Sequence, residues 1–149
     1  MSSTSPLPSL FGRFTAILRD HDHLGKTLRK LRQMCGALEA GEKEPAGELT
    51  PWVLLTELRR DLESHFAAEE DASYFGTVVD EAPGLAPDIA GLKWEHMTML
   101  RGADVLCALA ADRSRWSQLP KPTRELVAQL ERHEGAESKL LRRFFSPQP

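Results

Sequence analysis

Long apolar runs are missing from this chain. The longest uninterrupted one, Val105 to Ala111, has seven residues, against the roughly 20 that a membrane-crossing helix needs. A basic stripe is missing too. Nineteen Lys and Arg stand against 22 Asp and Glu, for a formal net charge of −3, and the signs are interspersed. Duplex nucleic-acid binders carry a basic face, so neither a nucleic acid nor a membrane is expected as a partner. Cysteine is sparse: Cys35 and Cys107 make neither a disulfide framework nor a Cys-x-x-Cys site. The opening MSSTSPLPSL has no basic start followed by an apolar stretch, so no secretion signal is expected and a cytoplasmic location is. Aromatics make up only 7% of the 149 residues. β-Branched residues are scarce, while Leu, Ala, Glu and Arg dominate. That balance disfavours sheet and favours helix.

What is present is punctuation at regular intervals. Pro45, Gly47 and the Thr50-Pro51 pair form one break, with Thr50 suited to an N-cap and Pro51 to the first helical position. Pro83, Gly84 and Pro87 form a second break, and Pro120 and Pro122 a third. The segments between them predict helices over about 10–40, 51–79, 88–111 and 122–145, in one domain spanning 1–149. Short connections put neighbouring helices antiparallel, which predicts an all-α, up-down-up-down four-helix bundle. The terminal SSTSP and SPQP are expected to be loose ends.

Each segment carries an apolar stripe at helical spacing. The first reads Phe14, Leu18, His21, Leu24, Leu28, Leu31, Cys35, Leu38; the second Leu55, Leu58, Leu62, His65, Glu69. The third reads Ile89, Leu92, His96, Met99, Ala103, Leu106; the fourth Leu126, Leu130, His133, Glu137, Leu141, Phe144. Four of the five histidines fall on these stripes, one per helix, and Glu69 and Glu137 fall there too. A buried carboxylate costs several kcal/mol unless something compensates it, and no Lys or Arg shares these faces. A buried imidazole also needs partners for its ring nitrogens. Metal ions meet both demands, accepting imidazole lone pairs and neutralising carboxylates.

The order of these residues repeats. A lone His21 precedes the pair His65 and Glu69; a lone His96 precedes the pair His133 and Glu137. Residues four apart point the same way along a helix. Two halves with identical sets imply two metals related by an approximate two-fold axis. Glu is common, with fourteen in the chain, so one His with Glu four residues on is weak evidence, arising by chance for about one His in ten. Two such pairs in corresponding halves, both facing inward after a lone inward His, are strong evidence. Shared carboxylates favour iron, with manganese or zinc behind it.

The strings LRDHDHLGKTLRKL, HFAAEEDASYF, KWEHMTML and RHEGAESKLL resemble the four helices of the hemerythrin-like, or HHE cation-binding, domain, over nearly the whole chain. The resemblance implies a non-haem di-iron centre with metal ligands His21, His65, Glu69, His96, His133 and Glu137. On that pattern His21 and His65 hold one iron, His96 and His133 the other, and both Glu bridge, with an oxo or hydroxo group completing the pair. Two departures stand out. Oxygen-carrying hemerythrins place a further His four residues after the third-helix His, where this chain has Leu100. They also place Asp at His+5 in the last helix, where this chain has Glu137 at His+4. The missing nitrogen leaves both irons open. The expected function is binding or sensing of a small oxidant (O2, NO or peroxide) more than enzymatic turnover. Iron storage or delivery, and a peroxide-reducing or oxidase-like activity, are the alternatives.

Other residues are read more plainly. His23 lies about 200° round the helix from His21 and is read as surface. Glu70 and Glu134 are read as exposed carboxylates, with orientation of a ligand imidazole as the alternative. Tyr74 is read as packing under the turn after the second helix, with an inward hydrogen-bonding role as the alternative. Cys35 and Cys107 are read as buried helix residues, Trp52, Trp94 and Trp116 as lying near helix ends, and Leu100 as a dry wall beside one metal.

Overall fold

Proline placement explains where most of the helices begin. A computed structural model describes residues 6–145. Its helices are α1 (Pro6–Glu39), α2 (Pro51–Glu70), α3 (Thr77–Glu81), α4 (Ala86–Ala110) and α5 (Pro120–Phe145). There is no strand among the described residues, and no helix is long and apolar enough to cross a membrane. Proline supplies a preset φ and lacks only a donor that the first turn leaves unpaired. It opens α1, α2 and α5 and stands second in α4. Thr50 occupies the cap position of α2, but its side chain makes no capping hydrogen bond. The expected behaviour of SPQP and of 2–5 lies outside the described residues.

α1 ends in a Schellman turn. Gly41 takes φ +90°, its N–H bonds Leu38 O at 3.1 Å, and Glu42 N–H bonds Ala37 O at 3.0 Å. Only glycine adopts that φ without strain.

The second helix departs from the continuous segment predicted over 51–79. It stops at Glu70, and Asp71 is extended (φ −60°, ψ 145°). The Asp71 carboxylate accepts from Ser73 N–H at 2.8 Å and from Ser73 Oγ at 2.6 Å. That local bonding competes with the helical ladder. The chain resumes through a π-type turn, Ala72–Gly76, before α3. Wider π turns rotate the residues that follow relative to an unbroken helix. Tyr74, Phe75 and Val78 are thereby turned into the interior.

The four long helices pack in a closed cycle: α1 touches α2 and α5, and α4 touches the same two. Two apolar clusters fill the space between them. One takes Leu24, Leu28 and Leu31 from α1, Leu58 and Leu62 from α2, Met99, Ala103 and Leu106 from α4, and Leu126 and Leu130 from α5. The other takes Leu10 and Ile17, Tyr74, Phe75 and Val78, Ile89 and Leu92, and Leu140 and Leu141. Each buried Leu or Ile contributes about 1.5–3 kcal/mol to the fold. On α1, α4 and α5 the inward His and Glu lie between the two clusters in sequence, and on α2 Glu69 follows Phe66, the last α2 residue of the first cluster. His21 follows Ile17 and precedes Leu24; His96 falls between Leu92 and Met99. The interior is therefore apolar, then polar, then apolar along its length. One stripe residue is corrected: Leu18 is 44% exposed, and Ile17 takes the inward place.

Candidate metal centre

Helical spacing brings the polar band together. His65 and Glu69 project from one face of α2, His133 and Glu137 from one face of α5, and His21 and His96 from α1 and α4. Glu69 and Glu137 have no exposed side-chain surface. His65, His96 and His133 are buried, and His21 is nearly so.

All four imidazoles direct Nε2 at the two carboxylates. His65 Nε2 lies 3.2 Å and His96 Nε2 3.4 Å from Glu69 Oε1. His21 Nε2 lies 4.0 Å and His133 Nε2 3.8 Å from Glu137 Oε2. Each Glu thus stands between an imidazole from one half of the chain and one from the other. The imidazoles also pair: the His21 and His65 rings lie 4.8 Å apart at 63°, the His96 and His133 rings 4.7 Å apart at 62°. The near-identity of the two pairs gives the site an approximate two-fold character. Three donors converge within 4.8 Å of one another in each of two groups, His21 with His65 and Glu69, and Glu69 with His96 and His133.

The outer nitrogens face carboxylates. His133 Nδ1 meets Glu95 Oε2 at 2.6 Å, and His96 Nδ1 meets Glu70 Oε2 at 3.1 Å. An ionised carboxylate accepts only, so each Nδ1 donates, and in the neutral imidazole each Nε2 then carries the lone pair. Yet His96 Nε2 and His133 Nε2 stand 3.0 Å apart. Two lone pairs at that separation repel, unless a cation lies between them. Metal–nitrogen bonds of about 2.1 Å, at angles between a right angle and a tetrahedral one, separate the two nitrogens by roughly 3.0–3.4 Å.

Electrostatics agree with neutral imidazoles around needy carboxylates. Burial lowers His96 to about 3, helped by the neighbouring His133 and His65. Burial likewise lowers His21 and His65. Burial, then the facing Glu137, lifts Glu69 well above the carboxylate range. Both oxygens of Glu69, Glu137 Oε2 and His21 Nε2 are buried without a hydrogen-bond partner. Among the described residues the ion-pair partners of Glu69 and Glu137 are histidines, with no Lys or Arg. Unpaired buried acceptors of this kind are costly. The donor set, imidazole nitrogen with carboxylate oxygen, fits iron, manganese or zinc.

Aromatic rings wall the band. Phe66 stacks on His96 with centroids 4.0 Å apart and 7° between planes, and Phe75 lies near-parallel to the same ring at 6.0 Å. Tyr74 is fully buried, and its hydroxyl donates to Glu137 Oε1 at 3.2 Å. Burial, then the charges of Glu137 and Glu69, raise the Tyr74 phenol far above its ordinary value, so it remains a proton-bearing donor.

Several expectations need correction or extension. Glu70 is exposed, as expected, and its carboxylate also meets His96 Nδ1, the role offered as its alternative. Glu134 is half-buried rather than exposed, with Oε1 unpartnered, and burial and the Glu137 charge push it to about 7. Tyr74 takes the inward hydrogen-bonding role. His23 is exposed, as expected, and pairs with Asp61 at 3.2 Å. Leu100 is half-buried against the apolar cluster one turn past His96. Cys35 is buried and Cys107 only partly so. Trp116 is buried and bonds Ala110 O at 2.8 Å, while Trp94 sits exposed in the middle of α4. Sequence reasoning missed Glu95, Asp20 and Phe75. A signal was there: Asp20, Glu70 and Glu95 each adjoin a site residue in sequence. One residue step is about 100° round the helix, which aims each carboxylate at the imidazole of the neighbouring helix. No family model matches the chain, and no curated protein or solved structure matches it.

Proposed function

We propose that the protein is a non-haem di-iron protein of the hemerythrin-like kind, which binds or senses a small oxidant such as O2, NO or peroxide. The observation that carries this reading is the facing of the His96 and His133 Nε2 atoms at 3.0 Å while their Nδ1 atoms are held by Glu70 and Glu95. A matching imidazole pair, His21 and His65, supports a second ion, and the placing of Glu69 and Glu137 between the pairs supports their bridging. An up-down-up-down bundle is part of the proposal. The early residues of α1 and α4 share one apolar cluster with the late residues of α5, and the reverse holds in the other cluster. That is the pattern antiparallel neighbours produce.

His21, His65, Glu69, His96, His133 and Glu137 would hold the irons. Bound there, a pair of irons supplies one-electron chemistry at each ion toward a small oxidant. Glu70 and Glu95 keep the inward nitrogens unprotonated, ready to ligate. Phe66 and Phe75 exclude water from the His96 side. Tyr74 holds a proton at Oη against Glu137 Oε1.

Anaerobic loading with ferrous iron, followed by air, tests the proposal. Two irons per chain and a visible charge-transfer band that reverses on removing oxygen support binding. One-way formation of that band supports sensing or turnover. Absence of uptake overturns the metal centre.

A further inference from the structure

On the outer side of His65, α1 and α2 enclose a pocket of about 100 Å3 lined by Asp20, His23, Leu24, Asp61, Ser64 and His65. That volume holds about three waters at ~30 Å3 each. His23 Nε2 and Asp61 Oδ2 span the two helices at 3.2 Å. Asp20 Oδ2 stands 3.6 Å from His65 Nδ1, too far for a hydrogen bond. His65 is only 7% exposed, and its Nδ1 is buried with no partner. This is where the outer shell is loose: the corresponding nitrogens of His96 and His133 are closed off by Glu70 and Glu95. The lining therefore offers two carboxylates and two imidazoles, and no Lys or Arg.

We propose that this pocket captures a hydrated divalent cation from solvent and passes it to the centre through His65. Asp20, Asp61 and His23 attract and hold the ion while it keeps part of its water. His65 presents Nδ1 to the pocket and Nε2 to Glu69, so one imidazole borders both compartments. Concave sites lined by one sign of charge raise the local concentration and arrival rate of counter-ions. The inference rests on the reading that the inner cluster binds metal.

The test is the rate of Co(II) uptake by the full chain, followed by stopped-flow visible absorption, with bound cobalt counted at the end. Asp61→Asn and His23→Ala should each slow uptake by about threefold to tenfold and leave the final stoichiometry at the wild-type value. Glu125→Gln, which removes one charge from an exposed site outside the pocket, should leave the rate unchanged. Unchanged rates in Asp61→Asn and His23→Ala overturn the capture site while the centre stands. A fall in final stoichiometry in those variants also overturns it, because the residues then maintain the centre itself. A wild-type chain that takes up no cobalt overturns both readings.

Discussion

Glu95→Gln separates the charge behind a ligand from its hydrogen bond. Glu95 is partly exposed on α4, while the His133 ring that it meets is buried. The contact, at 2.6 Å, is the shortest of the outer imidazole contacts; Glu70 meets His96 at 3.1 Å. Glutamine keeps an acceptor oxygen for the Nδ1 proton, so the metal-free fold should lose no more than about 0.5 kcal/mol. The negative charge that makes Nε2 a stronger donor is gone, and outer-shell changes of this kind cost about 10–100-fold in metal affinity. At 1.36 kcal/mol per tenfold, that is about 1.4–2.7 kcal/mol. Glu95→Ala should do more, leaving a buried N–H unpaired at about 1–3 kcal/mol whether or not metal is present. Glu70→Gln should lose less affinity than Glu95→Gln, because its contact is longer. The assay is competition for Co(II) against a chromogenic chelator, beside urea denaturation with excess chelator. Wild-type affinity in Glu95→Gln, with His133 still required for binding, would refute the argument that the carboxylate tunes Nε2.

Three more outcomes follow from the same geometry. Tyr74→Phe removes the hydrogen bond to Glu137 and should destabilise the metal-free protein by about 1–3 kcal/mol in urea denaturation; no loss would mean Glu137 does not need the phenol. His65→Ala removes one imidazole of a pair and should lower bound metal by at least one ion per chain, read by elemental analysis, whereas His23→Ala should keep full capacity. The pH profile of the metal-free protein should peak near about pH 6.5. His21, His65 and His96 lie below their unfolded value of 6.5, with His96 at about 3, so the unfolded chain binds more protons and stability falls as pH drops below 6.5. Glu69 and Glu134 lie above their unfolded value of 4.5, Glu134 at about 7, so the folded chain binds more protons and stability falls as pH rises from 4.5. Three histidines outweigh two glutamates below 6.5; above it the glutamates act, joined at higher pH by the raised Cys35, Cys107 and Tyr74, which push the same way. Bound metal should remove the Glu69 part of the alkaline decline by holding that carboxylate ionised; a metal-free curve that rises above pH 7 in denaturation would contradict this.

Much of the architecture was legible because helical periodicity is local. The stripes of α2 and α4 bury at every position read from the sequence, and the six inward His and Glu converge in the interior. Leu18 misled because Ile17 beside it fits nearly the same stripe, and one step of helical phase decides between them. The break at Asp71 escaped because Asp-Ala-Ser carries no proline or glycine; a side chain capping its own backbone ended the helix. The same motif caps the turn at Asp112 and Ser114.

Spacing along the chain could decide which face of a helix each imidazole shares, since that depends on about 100° per residue and nothing else. It could not decide which ring nitrogen looks inward. For His96 and His133 that choice is made by Glu70 and Glu95, each reaching from a different helix. Nor could it decide that Tyr74 meets Glu137, 63 residues away. Both depend on how neighbouring helices are rotated against one another, and only the packing of two apolar clusters around a polar band sets that rotation.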